Sequence, residues 1–156
     1  FFDTHLMVQE PSRYIKEFVK AGSDCVTVHA EACSDLRATL ELIKSFGVKC
    51  GVSLKPKTPV FIIEPYLDML DHILIMSVEP GFGGQKLIRE TLGKVRELVR
   101  LRRERGYLIS IDGGINLQTI AEAFESGIDV AVTGSAFFNA KDKKDFVRKM
   151  LKGIAS

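Results

Sequence analysis

The chain has 156 residues, 46% of them hydrophobic and 27% charged, with 13 glycines, 5 prolines and a net charge of +2. This is the balance of one globular domain spanning residues 1–156, and it excludes a disordered, collagen-like or strongly polyanion-binding chain. No run approaches the roughly 18 apolar residues of a membrane span, no signal peptide is visible, and Cys25, Cys33 and Cys50 lack Cys-x-x-Cys spacing, so we expect a cytoplasmic protein without disulfides, a zinc motif, or a nucleic-acid or membrane partner.

In chain order, Phe2–Val8 reads as a first strand, with Asp3, His5 and Met7 alternating onto one face. Pro11–Ala21 opens with Pro and Ser and stops before Gly22, as a helix does. Cys25–His29 is a second strand. Leu36–Phe46 follows as a helix with Leu36, Leu40, Ile43 and Phe46 on one face, ending at Gly47. Cys50–Leu54 and His72–Met76 are strands flanking a helical pattern at Val60–Leu70. Ile88–Arg105 is helical, and its basic run is interleaved with Leu98, Val99 and Leu101, which marks a solvated helix face. Leu108–Ile111 is a strand, Asn116 caps a helix over Leu117–Ser126, and Val130–Thr133 is the last strand. A short helix from Ser135 and a longer one over Lys143–Ile154 close the chain.

Strands buried on both faces, alternating with amphipathic helices, imply a parallel sheet with right-handed crossovers. The junctions AGSDCVTV, FGVKCGVSL and SGIDVAVTG each place a glycine just before a strand. No Gly-x-Gly-x-x-Gly follows the first strand, so a TIM-type (β/α)8 barrel fits better than a doubly wound sheet. About six of the eight βα units a barrel needs are present, which predicts the C-terminal three-quarters of such a barrel with two units ahead of Phe1.

Barrel chemistry sits at the C-terminal strand ends. Those ends offer His5 and Met7; His29 and Glu31; Ser53 and Lys55; Met76 followed by Gly81-Phe82-Gly83-Gly84; Asp112 followed by Gly113-Gly114; and Gly134-Ser135. Three glycine-rich turns at successive strand ends suit a phosphate, which backbone N–H groups hold well. The first of them is also placed to close as a lid. Asn116 is the better cap for the helix after Asp112, which leaves that carboxylate free to react. His5 paired with Asp112 across a barrel mouth is a candidate metal pair, although a divalent site usually needs three or four ligands.

The segments DTHLMV (3–8), TVHAEA (27–32), GVSLKPKTP (51–59), MSVEPGFGGQ (76–85), DGGIN (112–116) and GSAF (134–137) together resemble the ribulose-phosphate 3-epimerase family, in the family's order and over nearly the whole chain. The resemblance implies a ribulose-phosphate-binding barrel and a divalent metal: zinc, iron or manganese, with cobalt possible. It assigns His5 and Asp112 to that metal, Asp112 also to acid–base catalysis, and His5, Met7, Met76, Gly81, Phe82, Gly83, Gly84, Asp112, Gly113, Gly114, Gly134 and Ser135 to the ketose-phosphate substrate. A homo-oligomer in the pentose phosphate pathway is the matching expectation. The family's His-x-Asp strand is not in this sequence. Thr4, Lys55 and Asp35 depart from the usual Val, Asn and His. No metal role follows for His29.

The implied reaction interconverts D-ribulose 5-phosphate and D-xylulose 5-phosphate. The C3 hydrogen is acidic because the neighbouring carbonyl takes up charge as an enediolate, and inversion needs a carboxylate on each face. Alternatives are an allulose-6-phosphate 3-epimerase, a lyase or decarboxylase on a phosphate-binding barrel, or a folded fragment without turnover. With one acid–base group and two metal ligands, this chain alone is expected to show little or no epimerase activity.

Overall fold

A computed structural model describes residues 1–154. Six strands, β1 (Asp3–Leu6), β2 (Cys25–His29), β3 (Lys49–Leu54), β4 (His72–Met76), β5 (Leu108–Asp112) and β6 (Val130–Val132), form one sheet in sequence order. Every neighbouring pair is parallel. Strand order that never reverses is the wall of a barrel, since a doubly wound sheet must switch direction. The sheet curls as a half-barrel, and among the described residues β1 and β6 are its two edges.

The helices cover the outer face: α1 (Ile15–Lys20), α2 (Leu36–Ser45), α3 (Leu92–Arg102), α4 (Ile120–Glu125), α5 (Ser135–Phe138) and α6 (Lys143–Ile154). Alternate strand residues, Val26, Val28, Val52, Leu54, Ile73, Ile75, Ile109 and Ile111, bury against Leu40, Ile43, Val95, Leu98, Ile120 and Ala123 in one core. Each fully buried Leu or Ile there contributes about 1.5–3 kcal/mol. The intervening residues face inward, where Leu74, Met76 and Val78 form a separate apolar cluster. That alternation separates the packed core from the chemistry.

The junction glycines behave as the pattern requires. Gly22, Gly47 and Gly127 have φ of 106°, 74° and 102°, which ends each helix in the left-handed region. An aspartate before every second strand then pins the sheet. The carboxylates of Asp24, Asp71 and Asp129 accept from the backbone N–H groups of Phe2, Cys50 and Ile109 at 2.6, 2.9 and 2.7 Å.

Several helical expectations are shortened. Val60–Leu70 is two 3-10 segments, Val60–Ile62 and Glu64–Met69, because Pro65 has no N–H to continue an α-helix and its ring would strike the preceding turn. Pro11–Arg13 and Arg89–Thr91 are likewise 3-10 turns leading into α1 and α3. Arg103, at φ 45°, stops α3 short of Arg105. Asn116 is not the cap of α4, which starts at Ile120 with Thr119 as its N-cap; its Oδ1 instead accepts from Gln118 N–H at 2.8 Å in the turn that leads in. Among the described residues no helix is long and apolar enough to cross a membrane.

Candidate active site

All of the expected site residues except His5 line one cavity of about 400 Å³ at the C-terminal strand ends. Register explains the centre of it. Met76 and Asp112 are paired across β4 and β5, so the thioether lies beside the carboxylate. Asp112 is half-buried, and burial pushes its carboxyl above the usual range. A base shifted that way is better matched to proton transfer near neutral pH. Met76 is buried, whereas Met7 lies on the open side at 52% exposure.

Backbone contacts hold the rim. Ser77 Oγ lies 3.0 and 2.7 Å from the carbonyls of Asp112 and Gly113, and the Ser77 N–H donates to Asp112 O at 2.8 Å. The turn at 81–84 is closed by Gln85, whose side-chain amide donates to Glu79 O at 2.7 Å and Phe82 O at 2.9 Å. Phe82 stands at its tip, 86% exposed. Gly114 presses on the next segment so closely that a Cβ there would sit 2.2 Å from Leu87 N. Gln85, Asn116 and Asn139 also line the cavity and were not assigned to the site from the sequence, where Asn116 was read as a helix cap. Their signal was position alone, each lying within or just after an expected motif.

His5 is placed differently. Its Nε2 lies 2.9 Å from Nε2 of His29, and its ring is absent from the lining of the Asp112 cavity. Burial, then the neighbouring rings of His29 and His72, lower its pKa to about 4, so it is neutral at pH 7. His29 is buried, with Nδ1 3.5 Å from Glu31 Oε2. Burial acts to raise the Glu31 pKa, but hydrogen bonds from His29, Thr58 and the Lys55 N–H outweigh it and hold it down at about 2. A proton on His29 Nδ1, facing that anion, would leave its Nε2 to accept from His5 Nε2. His29, Glu31 and Lys55 line a second cavity of about 400 Å³ that shares Met7 and Pro80 with the first. The sequence places His29, Glu31 and Lys55 at strand ends but carries no signal that they share a chamber, which their side-chain positions alone decide.

A neutral imidazole at His5 and a carboxylate at Asp112 are donors of the right kind for a divalent cation. Among the described residues, neither of them belongs to a group of three His, Cys, Asp or Glu side chains with closely spaced ligand atoms. The trio whose ligand atoms all lie within 4.8 Å of one another is instead Asp3, Cys25 and His72, which is also compatible with a divalent cation.

The chain is 48% identical over 151 residues to a ribulose-phosphate 3-epimerase of Bacillus subtilis, covering 95% of this chain and 70% of that one. It is 47% identical over 140 residues to that of Treponema pallidum, covering 88% and 64%. The Escherichia coli enzyme matches at 41% over 155 residues, covering 98% and 69%. The chain therefore spans about two thirds of the length of these relatives. Among solved structures, a 3-keto-L-gulonate-6-phosphate decarboxylase from Vibrio cholerae superposes with a TM-score of 0.71 at 17% identity over 98% of this chain and 71% of that one, a likeness of TIM-barrel-type fold alone. Residues 1–138 match the ribulose-phosphate 3 epimerase family, and the chain belongs to that family.

Proposed function

We propose that this chain builds the proton-transferring and phosphate-holding side of a site that interconverts D-ribulose 5-phosphate and D-xylulose 5-phosphate, within pentose phosphate metabolism. The observation that carries the reading is Asp112. It is a half-buried carboxylate with a raised pKa, in a cavity with Met7 and Met76 beside it and Gly81–Gly84, Gly113, Gly114, Gly134 and Ser135 around it. Family membership supports the substrate class.

The glycine turns hold the phosphate. Binding energy from that remote group places C3 against Asp112. Asp112 takes the C3 proton, and the methionines keep bulk water from the enediolate that forms. His5 and Asp112 would hold the divalent cation (zinc, iron, manganese or cobalt), which when bound supplies Lewis-acid stabilisation worth several kcal/mol. Asp112 is the one ionisable side chain among the lining residues. A single carboxylate serves one face of the enediolate, so this chain exchanges the C3 hydrogen of one epimer faster than it inverts it.

The test is deuterium uptake at C3, followed by NMR, with each pentulose 5-phosphate in D2O and a divalent cation present. Uptake is expected for one epimer and is expected to fall at least about a hundredfold in Asp112→Asn. No uptake by the folded wild-type chain, or uptake that survives the substitution, overturns the reading.

A further inference from the structure

We propose that Asp3, Cys25 and His72 form a binding site for a thiophilic divalent cation, zinc fitting best, at the end of the sheet opposite Asp112. Asp3 and Cys25 are the paired first residues of β1 and β2, and His72 is the first residue of β4. Asp112 is the last residue of β5. The two sets therefore lie at opposite strand ends, and none of the trio lines the Asp112 cavity.

The geometry is near what a tetrahedral ion asks. The three ligand atoms lie within 4.8 Å of one another, and His72 Nδ1 is 3.6 Å from Asp3 Oδ2. Zinc bonded to N, O and S at its usual lengths holds such donors about 3.3–3.7 Å apart. Small side-chain rotations close the difference. Thr27 Oγ1, 3.1 Å from His72 Nδ1 and 3.3 Å from Asp3 Oδ1, or a water, stands ready for the fourth position.

The outer contacts also fit a ligand imidazole. His72 Nε2 is hydrogen-bonded to Ser110 Oγ, the kind of partner that orients a metal-bound ring. A hydroxyl both donates and accepts, so Ser110 serves either imidazole tautomer. Without an ion, Nδ1–H can donate to Thr27. With one, the proton moves to Nε2 and the Nδ1 lone pair turns to the cation, and no heavy atom of the ring shifts. Metal coordination deprotonates a thiol outright, so the buried Cys25 becomes a thiolate only with the ion in place. One sulfur, one imidazole and one carboxylate select zinc or cobalt over magnesium or calcium, which prefer all-oxygen cages. The bound ion ties β1, β2 and β4 together and stabilises the sheet by mass action.

The experiment is a cobalt(II) titration of the purified chain, read as thiolate-to-cobalt charge-transfer absorption in the near ultraviolet. The expected result is a band saturating at about one cobalt per chain. It is expected to vanish in Cys25→Ser and on addition of zinc, and to persist in Cys50→Ser and in Asp112→Asn, which separates this site from the one above. Asp3→Asn leaves the buried thiol and ring in place and is expected to weaken cobalt binding at least about tenfold. A folded wild-type chain with no thiolate band at saturating cobalt overturns the proposal. So does a band that survives Cys25→Ser, or an affinity unchanged by Asp3→Asn.

Discussion

Thr27 Oγ1 and His72 Nδ1 lie 3.1 Å apart although β3 stands between their strands. The residue of β3 in register with both is Gly51. Its missing side chain opens the slot through which the two reach each other, and the inward curl of the sheet brings them close.

Gly51→Ala therefore loses stability. The added Cβ would sit 2.2 Å from Thr27 Oγ1 and 3.1 Å from its Cα, so the neighbour cannot simply rotate away. The expected cost is about 1–3 kcal/mol, the usual range for overpacking. Urea unfolding measures it, and an unchanged midpoint would show that β2 and β3 yield freely.

Gly114→Ala is expected to act on both stability and binding. Gly114 has φ 68°, and its Cβ would meet the backbone of Leu87 at 2.2 Å. Strain at such a position costs about 1–3 kcal/mol before the clash is counted. Leu87 carries the 81–85 turn, so that turn is displaced from the cavity. Weaker protection of the fold by inorganic phosphate, seen as a smaller rise in melting temperature than wild type gives, is the readout.

Acid destabilises the metal-free chain in two windows. The folded His5 has a pKa near 4 against an unfolded 6.5. Between these values the unfolded chain binds the extra proton, so stability is full above pH 6.5 and falls as pH drops towards 4. The loss is on the order of 3 kcal/mol. Below pH 4.5 the ionised Glu31, held down at about 2, adds a second loss as pH falls towards 2. Chemical denaturation at stepped pH gives the profile. His5→Gln is expected to shrink the upper window, to which His72, its pKa also lowered by burial, contributes, and to leave the lower one.

Phe82 separates folding from function. At 86% exposure it buries little, so Phe82→Ala should change stability by no more than about 0.5 kcal/mol. Its place at the tip of a turn lining the cavity suits a lid that closes over the ligand. A raised KM for the C3 exchange at unchanged melting temperature is expected. An unaltered KM would mean that the turn stays open throughout the reaction.

Much of the scaffold was legible from local pattern. Cys25–His29 and His72–Met76 stand as expected because continuous apolar runs of that length are buried on both faces of a parallel sheet. Lys143–Ile154 is helical over its full expected range because its apolar spacing has the helical period. Val60–Leu70 misled because apolar spacing outweighed Pro65, whose effect is steric and local. The lining of the Asp112 cavity was legible for a similar reason: motifs at strand ends all arrive at the same rim once the sheet is parallel.

Local pattern along the chain sets the alternation of strand and helix, the glycines that end α1, α2 and α4, and the end of the sheet at which each motif emerges. These are properties of short stretches, set by periodicity and backbone freedom. That His5 faces His29, that His72 reaches Thr27 past Gly51, and that Asp3 and Cys25 converge on that same imidazole come from long-range packing. Which inward side chains meet depends on register and on how far the sheet curls. Both arise from packing across the whole molecule, and no spacing along the chain encodes them.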